Sequence, residues 1–286
     1  MSFRRKLAIA TWSAPREGNI YGRITLDVTD SLRYMEQLRQ ETGEKITITH
    51  LVGKAAGQAL AQSPSLNGRI VMDRFVPFRT TDVAFLVALE DGNNLGKVKV
   101  ARVDERSVVE IARDLRTRAE VLHRGEDEAF QKSMAPLRWM PTWLVRKVVW
   151  FVGWLGSGLG LRIRALGVEP FPFGSCIVTS VGMLGFDEGY APPTPFARVP
   201  VLVLVGAVGP RPSVVDGQIV VRHKVTVTAT IDHRVVDGYQ LGAVAKVFRE
   251  VMESPWLLDG RQPPALLAST EKPAASHAAS AAPTPP

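Results

Sequence analysis

The sequence predicts an α+β fold, a two-layer sandwich of a mixed β-sheet with covering helices. Three observations carry that prediction. Apolar, β-branched runs of strand length stand at IYGRITLDVT (20–29), SCIVTSVG (175–182), PVLVLVGAV (200–208) and KVTVTATID (224–232). Runs of helical period stand at 31–44, 48–64 and 105–123. The two kinds do not alternate strictly, as a doubly wound parallel sheet would require.

The elements follow in order. The alternation at 20–29 marks a strand, and Leu32, Met35 and Leu38 then recur at helical spacing. A second helix opens after Thr47 and stops at Pro64. LNGRIVMDRFVPF and DVAFLVALEDG read as strands, the second ending on an Asp91–Gly92 turn. Val108, Ile111, Leu115 and Leu122 give residues 105–123 one apolar helical face, and GEDEAF (125–130) reads as an exposed polar segment. Residues 133–173 break the pattern as a Trp-rich helical insert, holding Trp139, Trp143, Trp150 and Trp154 of the chain's six tryptophans. A VVDGQ turn (214–218) joins two later strands, and a last helix runs from about Tyr239 to Ser254. The catalytic domain is expected over 1–262, and the Ala/Pro/Ser tail at 263–286 is expected to be disordered.

Composition excludes several classes. At 286 residues with 45% hydrophobic content the chain has ample material for a core, and its net charge of +7 is too small and scattered to mark a nucleic-acid-binding protein. Cys176 is the single cysteine, which rules out an internal disulfide or a Cys-rich zinc site, so a reducing, cytoplasmic setting is expected and no metal. The apolar run Leu7–Ala10 is shorter than a signal-peptide core, so no export signal is read. The uncharged stretch Val148–Leu161 falls short of the roughly 20 residues that span a bilayer.

The most informative stretch is TATIDHRVVDGYQLGAVAKVF (228–248). His233 follows a β-branched strand, where a side chain is well placed to face a cleft; Asp237 lies four residues on, and Gly238 is read as permitting a tight backbone path into the last helix. Taken alone, Asp232, His233 and Arg234 read first as a solvated charged turn. DHRVVDG, however, resembles the signature of the acyltransferase component of 2-oxo-acid dehydrogenase complexes, whose catalytic domain shares the chloramphenicol acetyltransferase fold. GSCIVTSVGMLG (174–185) is similar to that family's glycine-bounded Thr-Ile-Ser/Thr-Asn-Leu-Gly stretch, and PSLNG (64–68) to its Pro-x-Leu-Asn-Ala. The motifs stand in the family's order, with 54 positions from Thr179 to His233.

The resemblance implies roles residue by residue. His233 would be the general base that takes the thiol proton of coenzyme A or dihydrolipoamide, a task for a group that changes protonation near neutral pH. Thr179 would donate to the tetrahedral oxyanion, with Ser180 the alternative one register away. Asp237 would hold the loop and the imidazole through an ion pair, for which Arg4 and Arg5 are the candidates. The family implies a homotrimer with its active site between neighbouring subunits, and beyond it a cage built through an apolar C-terminal end, here PWLLDG (255–260).

Four departures qualify these expectations. No lipoyl or subunit-binding domain is expected ahead of the fold, so a lipoyl group is expected only in trans, on a separate lipoyl-bearing protein. DGNNLGKVKVARVD puts Lys97 and Lys99 on a strand that is apolar in the family, and the family's Pro-His near the first strand is replaced around Tyr21–Gly22. The fourth is the insert, whose Trp143, Lys147, Trp150 and Trp154 fall on one helical face beside Arg146. Burial against a neighbouring subunit comes first among its readings, then docking on a membrane surface, then a lid over the substrate channel. Two functions therefore compete: an acyltransferase moving acyl groups between coenzyme A and a thiol on another chain, and a scaffold or cage-forming relative with impaired catalysis. An acyltransferase with a small-molecule acceptor comes third.

Overall fold

The computed structural model describes residues 3–12, 18–89, 94–123, 137, 139–163 and 168–261. The Asp91–Gly92 turn, the GEDEAF segment and the C-terminal tail lie outside the described residues. The elements are α1 (Phe3–Thr11), β1 (Asn19–Asp27), α2 (Thr29–Thr42), α3 (Ile48–Ala61), β2 (Gly68–Val71), β3 (Arg74–Pro77), β4 (Val83–Leu89), β5 (Asn94–Val100), α4 (Val108–His123), α5 (Thr142–Gly153), β6 (Cys176–Ser180), β7 (Val201–Val205), β8 (Gly209–Val215), β9 (Gln218–Asp232) and α6 (Gly238–Glu253). A 3₁₀ turn at Pro255–Asp259 follows α6.

Seven strands form one sheet in the order β1-β9-β7-β6-β4-β5, with β8 pairing the first half of β9. Pairing is parallel at β4–β6 and β6–β7 and antiparallel elsewhere, so the sheet is mixed, as the irregular strand-helix order predicts. β2 and β3 form a separate hairpin whose turn is Met72–Asp73, both at positive φ. No Gly or Asn announces that turn in the sequence. The β8–β9 turn at Asp216–Gly217, also at positive φ, is the one that the Asp-Gly pair signals.

One face of the sheet carries the main core. Val178, Val203, Val205, Val227 and Ile231 meet Tyr34 and Met35 of α2, Leu51 and Val52 of α3, Ile111 of α4, and Phe248 and Met252 of α6. α3 is the innermost helix and approaches so closely that the Phe85 ring occupies the place a Cβ would take at Gly53. The other face carries a smaller cluster of Ala84, Ile177 and Leu202 under Ala197 and Val199.

α1 and α5 pack on each other through Ala10, Leu137 and Val145, with Phe3, Leu7, Met140, Val148 and Val149 around them. The expected insert helix is therefore present, partnered by an N-terminal helix that the sequence did not announce. A nine-residue helix is marginal in isolation and owes its existence to such packing. A π-helical turn (Trp154–Gly158) continues α5. Among the described residues no helix is long and apolar enough to cross a membrane.

At the start of α3 the Thr47 amide donates to Nδ1 of His50 at 3.2 Å, a contact that requires an unprotonated nitrogen. Burial, reinforced by the Arg39 charge, pushes the His50 imidazole down to about 4 from an ordinary 6.5. Below pH 6.5 the unfolded chain takes up a proton that the folded one refuses, so stability present above 6.5 is lost as the pH falls toward 4. Urea unfolding across that range is expected to show His50→Gln abolishing a decline of about 2 kcal/mol, a figure reduced for the partial exposure of the ring.

Candidate active site

The segment after β9 is built residue by residue from its motif. The carboxylate of Asp232 receives the Arg234 guanidinium, Nε at 2.9 Å and Nη2 at 2.6 Å, together with the Arg234 amide at 3.0 Å. Val235 and Val236 insert into the main core and fix the loop from below. His233 is exposed between these anchors, its amide donating to the Gly18 carbonyl at 2.9 Å. Its Nδ1 lies 2.8 Å from the Val236 carbonyl oxygen. A carbonyl only accepts, so Nδ1 carries the proton and the lone pair of the neutral ring resides on Nε2.

Asp237 does not reach the imidazole. Its carboxylate caps α6, accepting from the amides of Tyr239 at 3.1 Å and Gln240 at 3.2 Å, while the Gln240 side chain accepts from the Asp237 amide at 3.3 Å. This capping box holds the loop by hydrogen bonds to backbone. Arg5 lies on α1, packed against α5, and the side chain of Arg4 lies outside the described residues. The expectation for Gly238 is corrected too: it begins α6 without a positive φ, and nothing stands within 4 Å of where its Cβ would be.

The hydroxyl candidates lie at the other end of the sheet. β6 is buried from Cys176 to Val178 and emerges at Thr179 and Ser180. Register separates the two. Thr179 pairs through Leu204 with Thr228, on the face away from the helices, whereas Ser180 pairs through Val205 with Val227, toward the helix layer. His233 stands five residues beyond Thr228 and two strands across from β6, so strand rise and strand spacing hold it about 19 Å from Thr179 within one chain. One chain thus presents a base at one end and a hydroxyl at the other without joining them. Exposed apolar side chains follow each in the chain, Tyr239 at the start of α6 and Met183, Leu184 and Phe186 after β6.

The segment after β6 is pressed against the sheet: a Cβ at Gly206 would stand 1.8 Å from the Asp187 carbonyl oxygen, and one at Gly182 would stand 2.5 Å from that of Gly206. Glu188 pairs with Arg23 and the Gly189 carbonyl accepts from Thr228, so residues 186–190 cover the sheet next to Thr179.

Lys97 and Lys99 are the contacts that sequence reasoning missed. Lys97 reaches Glu169 at 3.1 Å, and Lys99 donates to the carbonyls of Pro170 at 3.3 Å and Phe171 at 2.9 Å and pairs with Asp82 at 3.8 Å. They tie the strand to the chain returning from the insert; desolvation lowers the Lys99 amine against the pull of Asp82. Cys176 is buried, which pushes its thiol up and makes it a poor nucleophile. Among the described residues no group of three or more His, Cys, Asp or Glu side chains is placed to hold a metal ion.

The sequence model of the 2-oxoacid dehydrogenases acyltransferase (catalytic domain) family matches residues 13–130 and 161–259. The chain belongs to that family. The match omits 131–160, which contains α5, and begins after α1. A Schizosaccharomyces pombe protein, the probable dihydrolipoyllysine-residue succinyltransferase component of the mitochondrial 2-oxoglutarate dehydrogenase complex, is 25% identical over 231 residues, 78% of this chain and 41% of its own length. The chain therefore spans about two fifths of that relative. A probable dihydrolipoamide acetyltransferase from Listeria monocytogenes superposes with a TM-score of 0.64 at 20% identity, over 87% of this chain and 89% of its own. The cubic core of the pyruvate dehydrogenase multienzyme complex gives 0.62 at 16% identity, over 89% and 88%. Both structures share the α+β fold.

The capping geometry makes Asp237 separable from chemistry in stability measurements. Asp237→Ala is expected to cost about 1 kcal/mol in urea unfolding, and Asp237→Asn, which keeps an acceptor for the two amides, only a few tenths.

Proposed function

We propose that this protein is an acyltransferase that moves an acyl group between coenzyme A and a dihydrolipoyl or other thiol borne on a separate chain. The observation that carries the proposal is the Nδ1 contact of His233 with the Val236 carbonyl, which leaves Nε2 exposed and basic at the end of β9. In the proposed step Nε2 takes the thiol proton, and the thiolate attacks the carbonyl carbon of the acyl thioester. A C–S bond forms and the carbonyl pair moves onto oxygen, where the Thr179 hydroxyl of a neighbouring subunit donates to it. Collapse re-forms the carbonyl, breaks the original C–S bond and expels a thiolate, which recovers the proton from the imidazolium.

A separation of about 19 Å between His233 and Thr179, as strand rise and spacing give it, supports a site completed by two chains, and the exposed apolar side chains after β6 and at the start of α6 suit contact surfaces. A homotrimer is the smallest cyclic assembly we assign, in keeping with the family, and a cage is a further step. The lipoyl group would arrive in trans. No metal enters the scheme.

The test is acyl transfer from a panel of acyl-coenzyme A thioesters to dihydrolipoamide. His233→Ala is expected to lower the rate by about 10²–10⁴-fold and Thr179→Ala by about 10²–10³-fold. Co-assembling the two inactive variants is expected to restore about a quarter of the activity, since random mixing pairs an intact base with an intact hydroxyl at one interface in four. Equal rates for wild type and His233→Ala, with no coenzyme A binding by calorimetry, would leave the scaffold reading standing.

A further inference from the structure

Two helical segments fall outside the family's pattern. α1 and α5 lie outside the family match, yet they pack on each other and share a small core of their own. Their outer surface is unlike that of a solvated helix pair. On α5 the residues Trp143, Lys147 and Trp150 follow one another at steps of four and three, so they share a face, and Trp154 extends the row into the π turn. On α1 the same spacing aligns Arg5, Ile9 and Trp12. The aromatic side chains project outward: Trp139 is 93% exposed, Trp143 61%, Phe151 58%, Trp12 44% and Trp150 37%. Arg146 donates to the Ile9 carbonyl at 2.6 Å, which brings the two rows side by side.

Charge decides what suits this surface. Phe3–Thr11 and Thr142–Gly153 together hold Arg4, Arg5, Lys6, Arg146 and Lys147 and no acidic residue. The Lys147 ammonium sits 5.3 Å from the centre of the Trp143 ring, so positive charge lies within the apolar stripe. Protein interfaces deplete lysine from such positions, and a second copy docked face to face would bring Arg5 and Lys147 against like charges. An anionic bilayer surface meets both demands: tryptophan seats at the boundary between headgroups and acyl chains, and basic side chains meet lipid phosphates. α5 has 12 residues, too few to span a bilayer and enough to lie along one. The whole chain, at +7, is drawn to the same surface.

We propose that the α1–α5 pair docks this protein on the surface of an anionic lipid bilayer through its tryptophans and basic side chains. The inference is independent of the acyl-transfer reading, because it uses neither His233 nor Thr179.

Co-sedimentation of the purified full chain tests it, with vesicles of phosphatidylcholine containing phosphatidylglycerol compared with phosphatidylcholine alone. The protein is expected to sediment with the anionic vesicles only and to be released by high salt. Trp143→Ser/Trp150→Ser and Arg5→Glu/Lys147→Glu are each expected to weaken binding about tenfold or more, with circular dichroism and the oligomeric state unchanged. Binding to neither vesicle, or equally to both, overturns the proposal. A change of sedimentation coefficient in the tryptophan variant also overturns it, since the surface would then be an interface between copies.

Discussion

The register of β9 is the constraint on which the remaining geometry depends. This one strand of 15 residues pairs with β8 along its first half and is held between β1 and β7 along its second. Hydrogen bonding on both sides leaves it no freedom to slip, because a shift of one residue would turn Val225, Val227 and Ile231 out of the core and bring the Thr226–Thr230 side chains into it. The position of His233 follows from that lock, as does the span to Thr179. The sheet both presents the base and keeps it from the hydroxyl of its own chain, so subunit contact becomes a requirement of the proposed chemistry.

The DHRVVDG segment divides its work among its residues. Two valines enter the core, an aspartate holds an arginine, the second aspartate caps a helix, and the histidine is left with one ring nitrogen committed and one available. Anchoring by burial and capping fixes the imidazole ring's surroundings before any substrate arrives, which is what a general base needs to act at a defined distance. Lys97 and Lys99 extend the same economy to the insert. They hold the returning chain at Glu169–Phe171, while Arg69, stacked on Phe171 and bonded to the Gly158 carbonyl at 3.0 Å, ties the β2–β3 hairpin to the π turn.

Much of the frame was legible in the sequence because it rests on short-range rules. Period-two and period-3.6 apolar patterns mark β1, β9, α2 and α4, and the Asp-Gly pair marks the β8–β9 turn, since each depends on neighbours within a few residues. The motif around His233 was legible for the same reason. The α1 helix was not, since nine residues gain their helicity from α5, more than 130 positions away. The Met72–Asp73 turn lacked the glycine that announces such a turn at Asp216–Gly217. Lys54 hid in an apolar helical run, its ammonium bonded to the Val103 and Asp104 carbonyls in a site that only folding creates.

By itself the sequence determined that this is an α+β chain with a histidine exposed at a strand end, an aspartate four residues on, and an aromatic-basic insert between two blocks of the family's pattern. Those are properties of residue order, and residue order is local. Tertiary structure alone decided that Asp237 caps a helix, that Thr179 and not Ser180 faces away from the helix layer, that the two lysines of β5 serve as tethers, and that the insert leans on the N-terminus. Each of these turns on register or on contacts between distant segments, which side-chain chemistry permits in many arrangements and the packed sheet allows in one.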